Sequence, residues 1–188
     1  MMQKSTKHRI AINGYGRVGQ CVLRALYASQ QHSNLQVVAI NELSDLDTLT
    51  YLTRYDTTHG RFPVSVDNDG EQLLVNGDHI AVLNEAQPEQ LPWEQLGVDL
   101  VLECTGTYTD RATAERHLAS GARRLLFSQP GDKDIDATII YGFNSDQLLP
   151  SHQIVSSASC TTNGIIPVLD LLDKQLGIVN GVSTTIHS

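Results

Sequence analysis

Three cysteines in 188 residues, at positions 21, 104 and 160, form no even or regularly spaced set. That pattern excludes a disulfide framework and a zinc-ligand motif, and it points to a reducing compartment. Basic residues are also scarce. Thirteen Lys and Arg stand against 21 Asp and Glu, a formal charge of −8. Free nucleic acid is therefore not expected as a partner, because phosphate backbones recruit basic faces. A local anion site survives this exclusion, since backbone N–H groups bind phosphate without net positive charge. No apolar run approaches the roughly 20 residues that span a bilayer, so no membrane partner is expected. The basic stretch from Met1 to Arg9 is followed by only a short strand-like run, which is not a signal peptide pattern. A cytoplasmic protein is expected. Internal repeats and low-complexity linkers are absent too.

What is present is an apolar content of 40%, enough for one well-buried core and the start of another. Ile10-Ala11-Ile12-Asn13 reads as a short buried strand, broken by Gly14-Tyr15-Gly16-Arg17-Val18-Gly19. Val18, Val22 and Leu26 then recur at helical spacing. Leu35 to Ile40 reads as a second strand, and a helix is predicted from Leu46 to Tyr55, capped by Ser44 or Asp45. Between Phe62 and Leu83, the pairs Asp69-Gly70 and Asn76-Gly77 punctuate short runs, predicting a small antiparallel excursion. Leu100 to Glu103 returns to the buried-strand pattern. Asp110 to Ser120 is a predicted helix stopped by Gly121. Further strands are predicted at Leu125 to Ser128, Ala137 to Tyr141 and Gln153 to Ser156. The alternation predicts an α/β fold: a Rossmann-type, doubly wound, mostly parallel sheet.

From Cys160, the residues Ile165, Leu169, Leu172 and Leu176 mark one apolar helix face, with Gly177 as a stop. Pro167 inside that pattern removes one backbone donor and predicts a kink or a loosened first turn. Val182 to Ser188 reads as a strand.

The Gly-x-Gly-x-x-Gly pattern follows a strand and opens a helix within a βαβ unit, the setting that a dinucleotide site requires. Gly14 permits the tight turn, Gly16 lets backbone approach a diphosphate, and Gly19 lets helix and strand pack closely. The diphosphate would meet the N–H groups of Arg17 and Val18. Glu42, just past the second strand, could accept from ribose hydroxyls. Its charge, with the uncharged Leu43 and Ser44 beside it, favours NAD over NADP. The blander reading makes these glycines mere turn residues and Glu42 a solvated carboxylate, and the strand–turn–helix–strand setting weighs against it. Thr105-Gly106 after the Leu100–Glu103 strand suits a second backbone approach to the cofactor.

Ser157-Ala158-Ser159-Cys160-Thr161-Thr162-Asn163 sets a cysteine among small residues at the start of a helix. A thiolate is the useful nucleophile, and helix N–H groups favour negative charge there. Ser159 and Thr161 can donate to a phosphate or carbonyl oxygen, and His187 lies on a following segment that could return beside the helix end. Spacing alone leaves two readings open, a nucleophile or a small buried hydrophobe. Cys21 and Cys104 are assigned to the second class. On the blander reading, Asn163 serves only as a helix cap and His187 is an ordinary strand histidine.

The Ser157–Asn163 segment resembles the active-site signature of the glyceraldehyde-3-phosphate dehydrogenase family. Ile12 to Gly19, Tyr55-Asp56-Thr57-Thr58-His59-Gly60 and Glu103-Cys104-Thr105-Gly106 resemble other family segments in the same order. The resemblance runs from about residue 9 to the last residue. Ile40 to Leu43, Leu91-Pro92-Trp93-Glu94 and Phe127 to Thr138 resemble the branch acting on D-erythrose 4-phosphate more than the glycolytic, phosphorylating branch. The resemblance implies an NAD-dependent oxidation of a small phosphorylated aldose. Cys160 would form a thiohemiacetal and then a thioester, His187 would take the proton, and water would release 4-phosphoerythronate for pyridoxal 5′-phosphate synthesis. It also assigns Ser159, Cys160 and Thr161 to the substrate. Gly14, Gly16, Arg17, Val18, Gly19, Glu42, Thr105, Gly106 and Ser128 fall to the cofactor. A homotetramer is implied.

Two departures from the family pattern stand out. Gly164 replaces a common second cysteine, and Ala86 stands where the branch often has a cofactor-contacting arginine, which implies weaker NAD binding. The resemblance divides the chain into an NAD-binding domain, 1–158, and the start of an α+β catalytic domain, 159–188. Family length implies that most of that second domain is missing here. The chain alone is then either part of an enzyme or an NAD-binding fragment without turnover.

Overall fold

The apolar run beginning near residue 10 becomes the centre of the sheet. The computed structural model describes residues 7–29 and 33–186. Strand β1 (His8–Asn13) leads through helix α1 (Arg17–Ala28) to β2 (Leu35–Asn41). Helix α2 (Leu46–Arg54) is followed by the short strands β3 (Tyr55–Asp56) and β4 (Gly60–Arg61), which pair antiparallel with each other. Strands β5 (Val66–Asn68), β6 (Gln72–Val75) and β7 (Asp78–Leu83) follow. Then come β8 (Leu100–Glu103), α3 (Arg111–Ala119), β9 (Arg124–Phe127), β10 (Ala137–Thr138), β11 (Ile154–Ser156) and α4 (Cys160–Leu176).

The main sheet has nine strands in the order β10-β11-β9-β8-β1-β2-β7-β6-β5. Every pairing from β10 to β7 is parallel. The predicted antiparallel excursion is present but not separate. Strand β7 pairs antiparallel with β6 on one side and parallel with β2 on the other, so the excursion extends the sheet. Chain order reverses at β1, which has β2 on one side and β8 on the other. In a doubly wound sheet, the crevice at the carboxyl ends of such strands is where ligands bind.

Both faces of the sheet are covered, which explains the near-continuous apolar runs. Ile10, Ile12, Leu23, Val37, Ile40 and Leu49 pack on the face of α1 and α2. Ala11, Ala39, Trp93, Val101, Ala114 and Phe127 pack on the face of α3. A register shift after Ile10 pairs Ala11 with Ala39 and leaves Val38 as an extra residue. The bulge explains why the adjacent Val38 and Ala39 both join the α3-side core.

Several expectations need correction. Helix α2 ends at Arg54, because Tyr55 turns into the β3–β4 ladder. Val18, expected on the buried face of α1, is 46% exposed, and Leu23 takes the core position instead. Strand β10 covers only Ala137 and Thr138. The Ile139 N–H still bonds Ser156 O, but the chain then turns and leaves Tyr141 exposed. Helix α4 runs unbroken through Pro167. No residue of α4 is buried, so its apolar face lies uncovered. The predicted strand from Val182 is absent among the described residues. Positions 182–186 have no strand partner, and extended backbone without a ladder is not a strand. No helix among the described residues is long and apolar enough to cross a membrane.

Candidate active site

The glycine turn sits at the carboxyl end of β1, where Gly14 adopts φ +87° and its N–H bonds Asn41 O. Its α-carbon faces the loop after β8 so closely that no side chain fits. A cleft of about 340 Å³ opens above this junction, lined by Asn13, Gly14, Gly16, Asn41, Glu42, Leu43, Glu85, Ala86, Cys104, Thr105, Thr107 and Tyr108.

Helix capping separates α1 from the others. Asp45, Asp110 and Ser159 cap α2, α3 and α4 with side-chain oxygens. Gly16, the N-cap of α1, offers no side chain, and a Cβ placed there would meet nothing within 4 Å. The first N–H groups of α1 thus carry no side-chain cap, which fits a diphosphate. The cleft lining includes two carboxylates, Glu42 and Glu85, and no Lys or Arg. That charge disfavours the 2′-phosphate of NADP and fits NAD.

Glu42 Oε2 accepts from Tyr15 N–H at 2.7 Å and Oε1 from Leu43 N–H at 2.8 Å, so the carboxylate is pinned at the mouth of the glycine turn. Arg17 begins α1, but its side chain turns away to pair with Asp56. Only its backbone is left for an anion. Gly19 packs helix on strand, since a Cβ there would collide with Gly14 O. Thr105 lines the cleft, with its N–H and Oγ1 both donating to Glu103 Oε1, and Gly106 turns the chain beyond it. Ser128, just past β9, donates its N–H to Glu103 O. Ala86 also lines the cleft.

The cysteine segment stands on the same edge of the sheet. Asn13 pairs with Glu103, Glu103 with Phe127 and Phe127 with Ser156, so the ends of β1, β8, β9 and β11 are level. Three strand spacings carry the chain about 14 Å from the glycine turn to the end of β11. Ala158 then takes φ +61°, a strained choice for a residue with a Cβ, and its N–H is held by Ser156 Oγ at 2.9 Å. This kink delivers Ser159 as the cap and Cys160 as the first residue of α4. Ser159 Oγ accepts from Thr162 N–H at 3.0 Å and lies 3.0 Å from Thr161 Oγ1. Asn163 Nδ2 donates to Ser157 O and Ser159 O, so this residue braces the turn rather than capping in the ordinary sense.

All three cysteines are free, and they differ in exposure. Cys160 is exposed, and Gly164 one turn on meets nothing that a Cβ would touch. Cys104 is buried as expected, and burial pushes its thiol up to about 11. Cys21, also assigned to the core, is only partly buried and borders a surface cleft with Arg24, His59 and Phe62. The expected catalytic His187 lies outside the described residues.

The motifs did not disclose Asn13 and Asn41, which line the cleft from the ends of β1 and β2. Their signal was an asparagine closing each of two apolar strands. No group of side chains suited to a metal ion occurs among the described residues. Comparison with family models matches residues 8–111 to the NAD binding domain of glyceraldehyde 3-phosphate dehydrogenase and residues 159–188 to the C-terminal domain of the same family.

Proposed function

The chain belongs to the glyceraldehyde 3-phosphate dehydrogenase family, with NAD as its cofactor, and on that premise we propose that the protein oxidises D-erythrose 4-phosphate to 4-phosphoerythronate. The observation that carries the reading is Cys160, an exposed thiol at the first position of a helix on the same sheet edge as the dinucleotide cleft. Its Sγ attacks the aldehyde carbon and forms a thiohemiacetal, which oxidation turns into a thioester. Bound NAD supplies the hydride acceptor. The N–H of Cys160, which has no acceptor within the helix, faces the developing oxyanion. Ser159 and Thr161 hold the substrate. His187 receives the proton, a role that rests on the family resemblance. Water then hydrolyses the thioester and regenerates the thiol.

The substrate choice is supported by the branch-like segments Ile40 to Leu43, Leu91 to Glu94 and Phe127 to Thr138. On this reading the product feeds pyridoxal 5′-phosphate synthesis, and the protein works in the cytoplasm as a homotetramer. The contacts assigned to NAD are Gly14, Gly16, Arg17, Val18, Gly19, Glu42, Thr105, Gly106 and Ser128. We take 1–158 as the NAD-binding domain and 159–188 as the opening of the catalytic domain. That boundary is supported by the end of β11 at Ser156 and by the start of the second family match at 159.

The test is NADH formation with D-erythrose 4-phosphate, with and without inorganic phosphate, for the wild type and Cys160→Ala. Phosphate-independent turnover lost in the variant supports the proposal. Turnover that needs phosphate and prefers glyceraldehyde 3-phosphate replaces it with the phosphorylating reaction. NAD binding without turnover reduces the chain to a cofactor-binding unit.

A further inference from the structure

We propose that Glu103, a fully buried carboxylate beneath the cleft, is a positioning residue for NAD, holding from below the two segments that form the cleft floor. The proposal rests on the assignment of NAD to this cleft. Glu103 is 0% exposed, although burying a carboxylate is costly unless donors surround it. Donors do surround it. Oε1 accepts from Thr105 N–H at 2.8 Å and from Thr105 Oγ1 at 2.5 Å. Oε2 accepts from Asn13 Nδ2 at 2.5 Å. Asn13 and Thr105 both line the cleft, and each adjoins a glycine, Gly14 and Gly106.

Every neighbour in this network has its direction fixed. Asn41 Nδ2 donates to Asn13 Oδ1 at 2.7 Å, so the Asn13 amide must turn its NH₂ towards Glu103. Asn41 is itself fixed by Glu85, donating to its carbonyl and accepting from its N–H. On the other side, Trp93 Nε1 donates to His117 Nδ1 at 3.0 Å, which puts the neutral ring's proton on Nε2. That Nε2 lies 3.4 Å from Glu103 Oε2, and it is the only buried side-chain polar atom without a hydrogen bond among the described residues. Hydrogen-bond donation from Asn41 through Asn13, and from Thr105, therefore terminates on Glu103, while the His117 Nε2–H stands beside Oε2 without bonding it. Only a group that accepts on both oxygens closes the network. A glutamine, otherwise nearly the same shape, would turn an NH₂ against either Asn13 or Thr105.

The experiment measures NAD dissociation constants by calorimetry and stability by urea unfolding, on the full chain. Glu103→Gln is expected to weaken NAD binding about tenfold or more, the scale of one buried donor left unsatisfied. The double variant Asn13→Asp with Glu103→Gln moves the carboxylate one step along the network. The carboxylate now at position 13 accepts from Asn41 and from the new amide at position 103, and binding should return to within about threefold of wild type. Ile80→Val, at a buried core position outside the cleft lining, serves as a purely structural comparison. If Glu103→Gln weakens NAD no more than Ile80→Val does, or if the double variant folds without regaining affinity, the proposal is overturned. Should Glu103→Gln fail to fold, the double variant decides alone. A wild-type chain that binds no NAD overturns the cofactor assignment together with this proposal, whereas wild-type binding unmoved by Glu103→Gln overturns only the latter.

Discussion

A Cβ built on Gly14 would stand 2.6 Å from the backbone nitrogen of Thr105. The contact joins the end of β1, where chain order reverses, to the end of its neighbour β8, and there is no soft side chain to yield. Gly14 also holds φ +87°, which an L side chain adopts only with strain. Gly14→Ala should therefore combine a backbone clash with left-handed strain and cost more than ~2 kcal/mol of stability. Urea unfolding would report that loss, and calorimetric titration should detect no NAD binding.

Gly16→Ala should behave in the opposite way. Its φ is −72° and a Cβ there meets nothing, so the fold accommodates it. Replacing an N-cap glycine by alanine costs less than ~1 kcal/mol. The new methyl nevertheless enters the space proposed for the diphosphate. A stable protein with NAD affinity reduced about tenfold or more is expected, since even a small steric misfit against backbone N–H donors costs over ~1 kcal/mol. Unchanged affinity would move the diphosphate elsewhere.

The three thiols should separate by reactivity. Cys160 is exposed, Cys21 partly so, and Cys104 is buried with its thiol pushed up to about 11. Brief alkylation at neutral pH, read by peptide mass spectrometry, should modify Cys160 first and leave Cys104 untouched until the chain unfolds. Cys160→Ser should leave NAD binding within about twofold, because the thiol is not part of the cleft lining, while lowering turnover by about a thousandfold or more through loss of the nucleophile. Early modification of Cys104 in the folded protein would contradict its buried place.

Local signals were the most readable in the sequence. The glycine turn, the helix start at Asp110 and the hairpin pairs each follow from a few adjacent residues, and the structure has them where they were expected, with Asp45 rather than Ser44 as the cap of α2. What depends on distant partners was less readable. Val182 to Ile186 has a strand-like composition but no neighbouring strand, and Val38 looks like any alternating residue until its partner register reveals the bulge. Glu103 reads as the polar end of a buried strand. Its donors come from residues as far apart as Asn13 and Thr105, so only folding assembles them.

Acid should expose the anchor that holds Arg17 away from the cleft. Asp56 Oδ1 accepts from His59 N–H at 2.7 Å and Thr58 N–H at 2.8 Å, and Oδ2 pairs with Arg17. The His59 bond foremost, with Arg17 and Thr58 behind it, holds the carboxyl at about 2 instead of 3.8. A folded pKa below the unfolded one means that the unfolded chain binds the proton more readily. The stabilisation is therefore full above about pH 4 and is lost as pH falls towards about 2. Asp136 shares this window. Against the upward push of its burial, the Ile154 N–H, Arg111 and the Gln153 N–H bring it to about 2 as well. Asp56→Asn should thus flatten, but not abolish, the fall of the urea midpoint between about pH 4 and about pH 2. Arg17→Ala should flatten it less, because the His59 and Thr58 bonds remain. Wild-type and Asp56→Asn midpoints that fall in parallel would show that the anchor does not titrate in this window.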